Sequence, residues 1–197
     1  MAVAAVFAAC SKDDEKKGDN LESSFDGKTI TANVVNGSRY NSSVSTVRAM
    51  AYDQTSYYGR ESIASGSYAN GGFTLTLPVT PAAKYLVLVV ERFEQDFLTI
   101  SNRDARVLPS LEFRAFDRNG EEVDDLVYAK EDNTSYTEVE FMYADRAVTI
   151  TGSTTHYTAN LSLKQGWNMV YYIESESGFV ATTNPASGLK WYFGEDL

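Results

Sequence analysis

The chain has 197 residues, with 17 basic and 27 acidic side chains, a formal charge of −10 at neutral pH and one cysteine. A charge of that sign repels phosphate backbones, which excludes nucleic-acid binding, and a lone cysteine excludes an internal disulfide. The length suffices for one large or two small domains, held by apolar burial alone.

Residues 1–10 read Met-Ala-Val-Ala-Ala-Val-Phe-Ala-Ala-Cys, an apolar run that closes on two small residues and then on the chain's cysteine. Small side chains at Ala8 and Ala9 admit the backbone to a signal-peptidase groove, and a thiol that is diacylated after cleavage becomes a membrane anchor. Phe7-Ala8-Ala9-Cys10 resembles a bacterial lipobox, with Phe7 where leucine is usual. The resemblance implies that residues 1–9 are a signal-peptide remnant and that Cys10 carries lipid. No basic residue precedes the apolar run, which predicts a start upstream of Met1. Lys12, Asp13, Asp14 and Glu15 resemble the acidic export signal of Bacteroidetes lipoproteins. That resemblance implies an outer-membrane protein displayed on the cell surface, with a periplasm-facing anchor as the alternative. Without a signal, the segment reads as an apolar strand burying a free thiol. No later apolar run approaches the roughly 20 residues that span a bilayer, so the acyl chains on Cys10 are the expected membrane attachment.

Residues 10–26 are mostly polar and charged, a composition that predicts a flexible acidic tether. From residue 27 to 197 the pattern changes to short stretches of period-two alternation separated by Gly, Asn, Asp and Pro. Strands are predicted over Thr29 to Val35, Thr46 to Tyr52 and Phe73 to Leu77, the last preceded by an Asn70-Gly71-Gly72 turn. Tyr85 to Val90 is a continuous apolar run that suits a strand buried on both faces, followed by a turn of helix over Glu91 to Asp96. Further strands are predicted over Leu111 to Phe116, Glu138 to Tyr143, Val148 to Thr151, Tyr157 to Leu163, Trp167 to Ile173 and Leu189 to Phe193. Many short strands predict an all-β sandwich, immunoglobulin-like or transthyretin-like in outline, with a lipocalin-like barrel as the alternative. The polar stretch at 101–104 is a candidate subdivision of this body. Alternation along Val139, Phe141 and Tyr143 and along Trp167, Met169, Tyr171 and Ile173 predicts two apolar faces opposed across the sandwich.

The stretches Tyr68 to Pro78, Phe141 to Gly152, Leu163 to Tyr171 and Ser187 to Phe193 are similar to segments of Bacteroidetes lipoproteins with all-β bodies. The similarity implies a fold and a location and brings no catalytic motif. His156 is the only histidine, and no Gly-x-Ser-x-Gly elbow is present, so neither a triad nor a closed zinc site is expected. His156 reads as an exposed or hydrogen-bonded residue at a strand start. Paired carboxylates for glycoside hydrolysis need only meet in space, and the sequence singles out none.

Asp117, Asn119 and Glu121 begin a segment with five carboxylates and one amide oxygen in nine residues, a hard-oxygen composition suited to calcium. The same Asn119-Gly120 pair suits an ordinary hairpin turn, which is the preferred reading. No cofactor is expected. The chain holds 13 tyrosines, 10 phenylalanines and 2 tryptophans, most of which the core must absorb. Tyr57 and Tyr58 are adjacent rings in a polar loop and cannot both point inward from an extended segment, which makes them candidate ligand contacts; Trp191, in a strand with rings on both faces, is another. These features predict a lipid-anchored, non-catalytic binding module for a glycan or a partner protein. A fimbrillin-like assembly subunit is one alternative and a carrier of a small apolar ligand another.

Overall fold

The computed structural model describes residues 23–56, 59–93 and 95–196. Cys10, Lys12, Asp13, Asp14, Glu15, Tyr57 and Tyr58 lie outside the described residues. In chain order the first elements are β1 (Ser24–Phe25), β2 (Thr29–Asn33), β3 (Thr46–Tyr52), β4 (Arg60–Ala69), β5 (Gly72–Thr76), β6 (Val87–Leu88), the one-turn helix α1 (Val89–Arg92), β7 (Thr99–Ile100) and β8 (Arg106–Leu108). They are followed by β9 (Glu112–Phe116), β10 (Glu122–Asp132), β11 (Ser135–Ala144), β12 (Val148–Ser153), β13 (Tyr157–Leu163), β14 (Gly166–Ser175), β15 (Gly178–Thr182) and β16 (Lys190–Phe193).

The strands pair along one open path, β1-β2-β5-β4-β3-β9-β10-β11-β14-β15-β13-β12-β7, with β16 added to β10 and β6 and β8 added beside β11. This is an all-β sandwich. The path has two ends, β1 and β7, so the sheet does not close on itself as a lipocalin-like barrel must. The ladders are antiparallel except β13 with β15.

The turn from β4 to β5 forms as the sequence predicts. Asn70 at φ 53° and Gly71 at φ 77° supply the two left-handed residues of a tight hairpin. The long strand β4 serves two layers, pairing with β3 from Arg60 to Ser67 and with β5 only at Tyr68 and Ala69. Gly66 permits the crossing, because a Cβ there would overlap the Thr74 carbonyl oxygen.

Two cores result. In the larger, Ile30, Phe73 and Leu75 from β2 and β5 meet Val47, Phe113, Phe141, Trp167 and Trp191 from the facing layer. In the smaller, Val89 and Phe93 of the α1 turn meet Met142, Val170, Ile150, Leu161 and Ala181. Because successive side chains of a strand alternate in direction, β11 and β14 supply both cores: Phe141 and Tyr143 enter the larger, Met142 and Ala144 the smaller.

Several expectations are corrected here. β11 and β14 are neighbours in one ladder, with Phe141 opposite Met169 and Tyr143 opposite Trp167, so their apolar sets lie side by side rather than across the sandwich. The Tyr85 to Val90 run is not one strand: it divides into a turn, the two residues of β6, and α1. The Val89 amide donates to the Ala105 carbonyl at 2.8 Å and the Phe93 amide to the Val89 carbonyl at 3.0 Å, which turns Val89 and Phe93 together into the smaller core. Ser24 and Phe25, placed in the tether by composition, form β1, and the Phe25 ring packs edge-on against Phe141 at 5.1 Å. Residues 101–104 do not divide the body, since β3 pairs with β9, β6 with β8 and β7 with β12 across that point.

Candidate functional site

Of the candidate contact and ligating residues within the described chain, none forms a ligand site. Trp191 is 2 % exposed, so it is not a surface contact. It stacks on Tyr128 and meets Phe73 and Phe113 edge-on at 5.2 and 5.1 Å, because β16 inserts between β10 and the end of β2. Asp117, Asn119 and Glu121 form a hairpin turn. Asp117 Oδ1 accepts the Asn119 and Glu121 amides at 2.8 and 2.9 Å, and Asp117 Oδ2 accepts from Asn119 Nδ2 at 3.1 Å. The carboxylate is therefore engaged by the turn itself, and among the described residues no group of three or more acidic, histidine or cysteine side chains is placed to hold a metal ion. His156 is exposed in the turn before β13. Tyr52 to Ser56 line an open hollow of about 440 Å³.

A charged network lies on the outer face of β3, β4, β9 and β10. Arg60 donates to Glu112 at 2.9 Å and to Glu122 at 2.6 Å, Arg114 donates to Glu112 at 3.0 Å and to Glu122 at 3.3 Å, and the Tyr52 hydroxyl donates to Glu112 at 2.5 Å. Burial pushes the Glu112 carboxyl up, but the Tyr52 hydroxyl and Arg60 outweigh it and hold the group below the usual range. With its charges paired in this way, the network stiffens the sheet.

The opposite situation holds beside α1. Arg92, Phe93, Gln95, Leu98, Tyr157, Tyr172 and Phe179 line a hollow of about 200 Å³. Parallel pairing of β13 with β15 sets Tyr157 level with Phe179, and their rings stack at 5.5 Å with an interplanar angle of 11°. Tyr172, from β14, tilts against Phe179 at 5.6 Å, and Phe97 meets Tyr157 edge-on. The rings are half-buried, leaving a partly open aromatic wall.

Behind this wall the Tyr172 hydroxyl and Glu140 Oε2 are shielded from solvent and make no hydrogen bond of ordinary geometry, although the two groups interact with each other. The Arg92 guanidinium approaches Glu140 Oε2 at 3.9 Å, within ion-pair range and beyond a hydrogen bond. Burial raises the Glu140 carboxyl above its ordinary range, with Arg92 opposing, and burial likewise raises the Tyr172 hydroxyl. The arrangement is thus one stacking wall with the Arg92 guanidinium and the Gln95 amide at its border.

Sequence reasoning did not find this cleft. Its signal was slight: Glu138 and Glu140 share a face of β11 with the apolar Met142 and Ala144, a mixture that neither a buried nor a solvated face explains. In comparisons with known proteins, the chain matches no family model, no curated protein and no solved structure.

Proposed function

We propose that the protein is a lipid-anchored, cell-surface, non-catalytic binding module of the outer membrane, and that its ligand is a glycan held in the cleft beside α1. The observation that carries this reading is the half-open Tyr157–Phe179 stack, with the Arg92 guanidinium and the Gln95 amide at the border of the same hollow. A sugar ring presents an apolar face to an aromatic ring and hydroxyls at its edge, and those hydroxyls can accept from Arg92 and donate to the Gln95 amide oxygen.

A glycan array with the parent and Tyr157→Ala tests the site. The parent is expected to bind, and the variant to lose about tenfold in affinity, while Tyr57→Ala with Tyr58→Ala measures whether that loop contributes. Equal binding by parent and Tyr157→Ala moves the site away from α1. The anchor is tested separately: Cys10→Ser should shift the protein from the membrane fraction to the soluble one, and alanines at Lys12 to Glu15 should hide it from protease added to whole cells. A fimbrillin-like assembly role is the competing reading, supported by the two open ends of the sheet at β1 and β7, and polymers on purification would favour it.

A further inference from the structure

We infer that the ligand is a neutral chain of two or more sugar units, seated in two adjoining hollows beside α1; this rests on the glycan reading above. The second hollow, of about 230 Å³, is bordered by Asp96 and Arg103 and shares Phe93, Gln95 and Leu98 with the first. Each hollow is smaller than the roughly 300–1,000 Å³ of a site that encloses a whole drug-sized molecule, so each suits one ring, and a longer ligand crosses the shared wall. Gln95 is exposed on that wall, and its amide offers donors and an acceptor to units on either side. Arg92, at the border of the first hollow, has Glu140 behind it at 3.9 Å, and the second hollow is bordered by one cation, Arg103, and one carboxylate, Asp96. Neither hollow therefore carries a net positive charge to draw a uronic acid unit, which must also approach a chain of net charge −10.

The test is an array of neutral oligomers of glucose, galactose, mannose and xylose from one to six units, with uronic-acid oligomers of the same lengths. Binding is then quantified by titration, and by ligand-observed NMR for single units. Two-unit and longer neutral glycans should bind about tenfold or more tightly than one unit of the same sugar. The double variant Asp96→Ala, Arg103→Ala should abolish that gain while leaving the melting temperature unchanged. Equal affinity for one unit and for longer chains, or a length gain that survives in the double variant, overturns the two-hollow inference and leaves the cleft as a saccharide site. Preference for the uronic-acid oligomers overturns the neutral ligand. Failure to bind every glycan on the array overturns the glycan reading itself, and this inference with it.

Discussion

The protein gathers aromatic rings in two places and leaves them in opposite states. In the larger core Trp191 is enclosed: it lies parallel to Tyr128 at 5.1 Å and to Phe141 at 6.0 Å, with Phe73 and Phe113 at its edges. Beside α1, Tyr157 and Phe179 stack as closely, yet one side of the wall is open. The same residue types therefore serve stability where every surface is covered and recognition where one is left bare. Aromatic content alone does not distinguish the two, but the exposure of the rings does.

The comparison can be broken most directly at Phe141, which is 1 % exposed. Phe141→Ala should cost about 3–5 kcal/mol, read as a shifted denaturant midpoint, because the surrounding rings cannot collapse into the space. A soluble variant with an unchanged midpoint would show that this region is not the filled one. Gly66→Ala comes next. Its Cβ would overlap backbone rather than a movable side chain, so about 1–3 kcal/mol of overpacking strain is expected by the same measurement, and an unaffected midpoint would show that β4 and β5 can separate there. Tyr157→Ala should reverse the pattern, with a smaller stability loss than at Phe141 and about a tenfold loss of glycan affinity. A stability loss equal to that at Phe141 would make the cleft a second structural core.

The smallest effect concerns pH. Burial raises the folded-state pKa of Glu140, so the folded protein holds this proton more tightly than the unfolded chain does. The stabilising contribution is therefore present in full below the ordinary carboxylate range and is lost as pH rises through the raised folded value. Glu140→Gln removes that dependence, so its melting temperature relative to the parent should climb as pH rises from the ordinary carboxylate range through the raised folded value. A constant difference across that range would mean that the Glu140 carboxyl is solvated like a surface group.

Much of the fold was legible because alternation is a local property. Thr46 to Tyr52 and Tyr157 to Leu163 alternate cleanly, and both are strands over those same residues. β4 was not legible: Arg-Glu-Ser-Ile-Ala-Ser-Gly-Ser-Tyr-Ala holds few large apolar residues, and its extended form is imposed by pairing with β3. β10 was hidden in the same way, since Glu122, Val123, Asp124 and Asp125 read as a solvated turn, yet the strand runs 11 residues. The Tyr85 to Val90 run shows the converse, with apolar residues of strand-like composition bent into α1 by the demand of the second core. The cleft stayed hidden because Arg92, Glu140, Tyr157, Tyr172 and Phe179 come from separate elements, and only the parallel pairing of β13 with β15 aligns two of its rings.

The insertion of β16 also sets the order in which the protein can fold. Its residues pair with β10, and Trp191 bridges back to Val34, with the Val35 amide donating to the Trp191 carbonyl at 2.8 Å. The larger core thus joins positions more than 150 residues apart, and it stays without its central ring until residues 190–193 have been synthesised and, on the proposed route, exported. Contacts this distant in sequence slow folding. The N-terminal strands consequently lack the partner that closes their layer until the last residues of the chain are available.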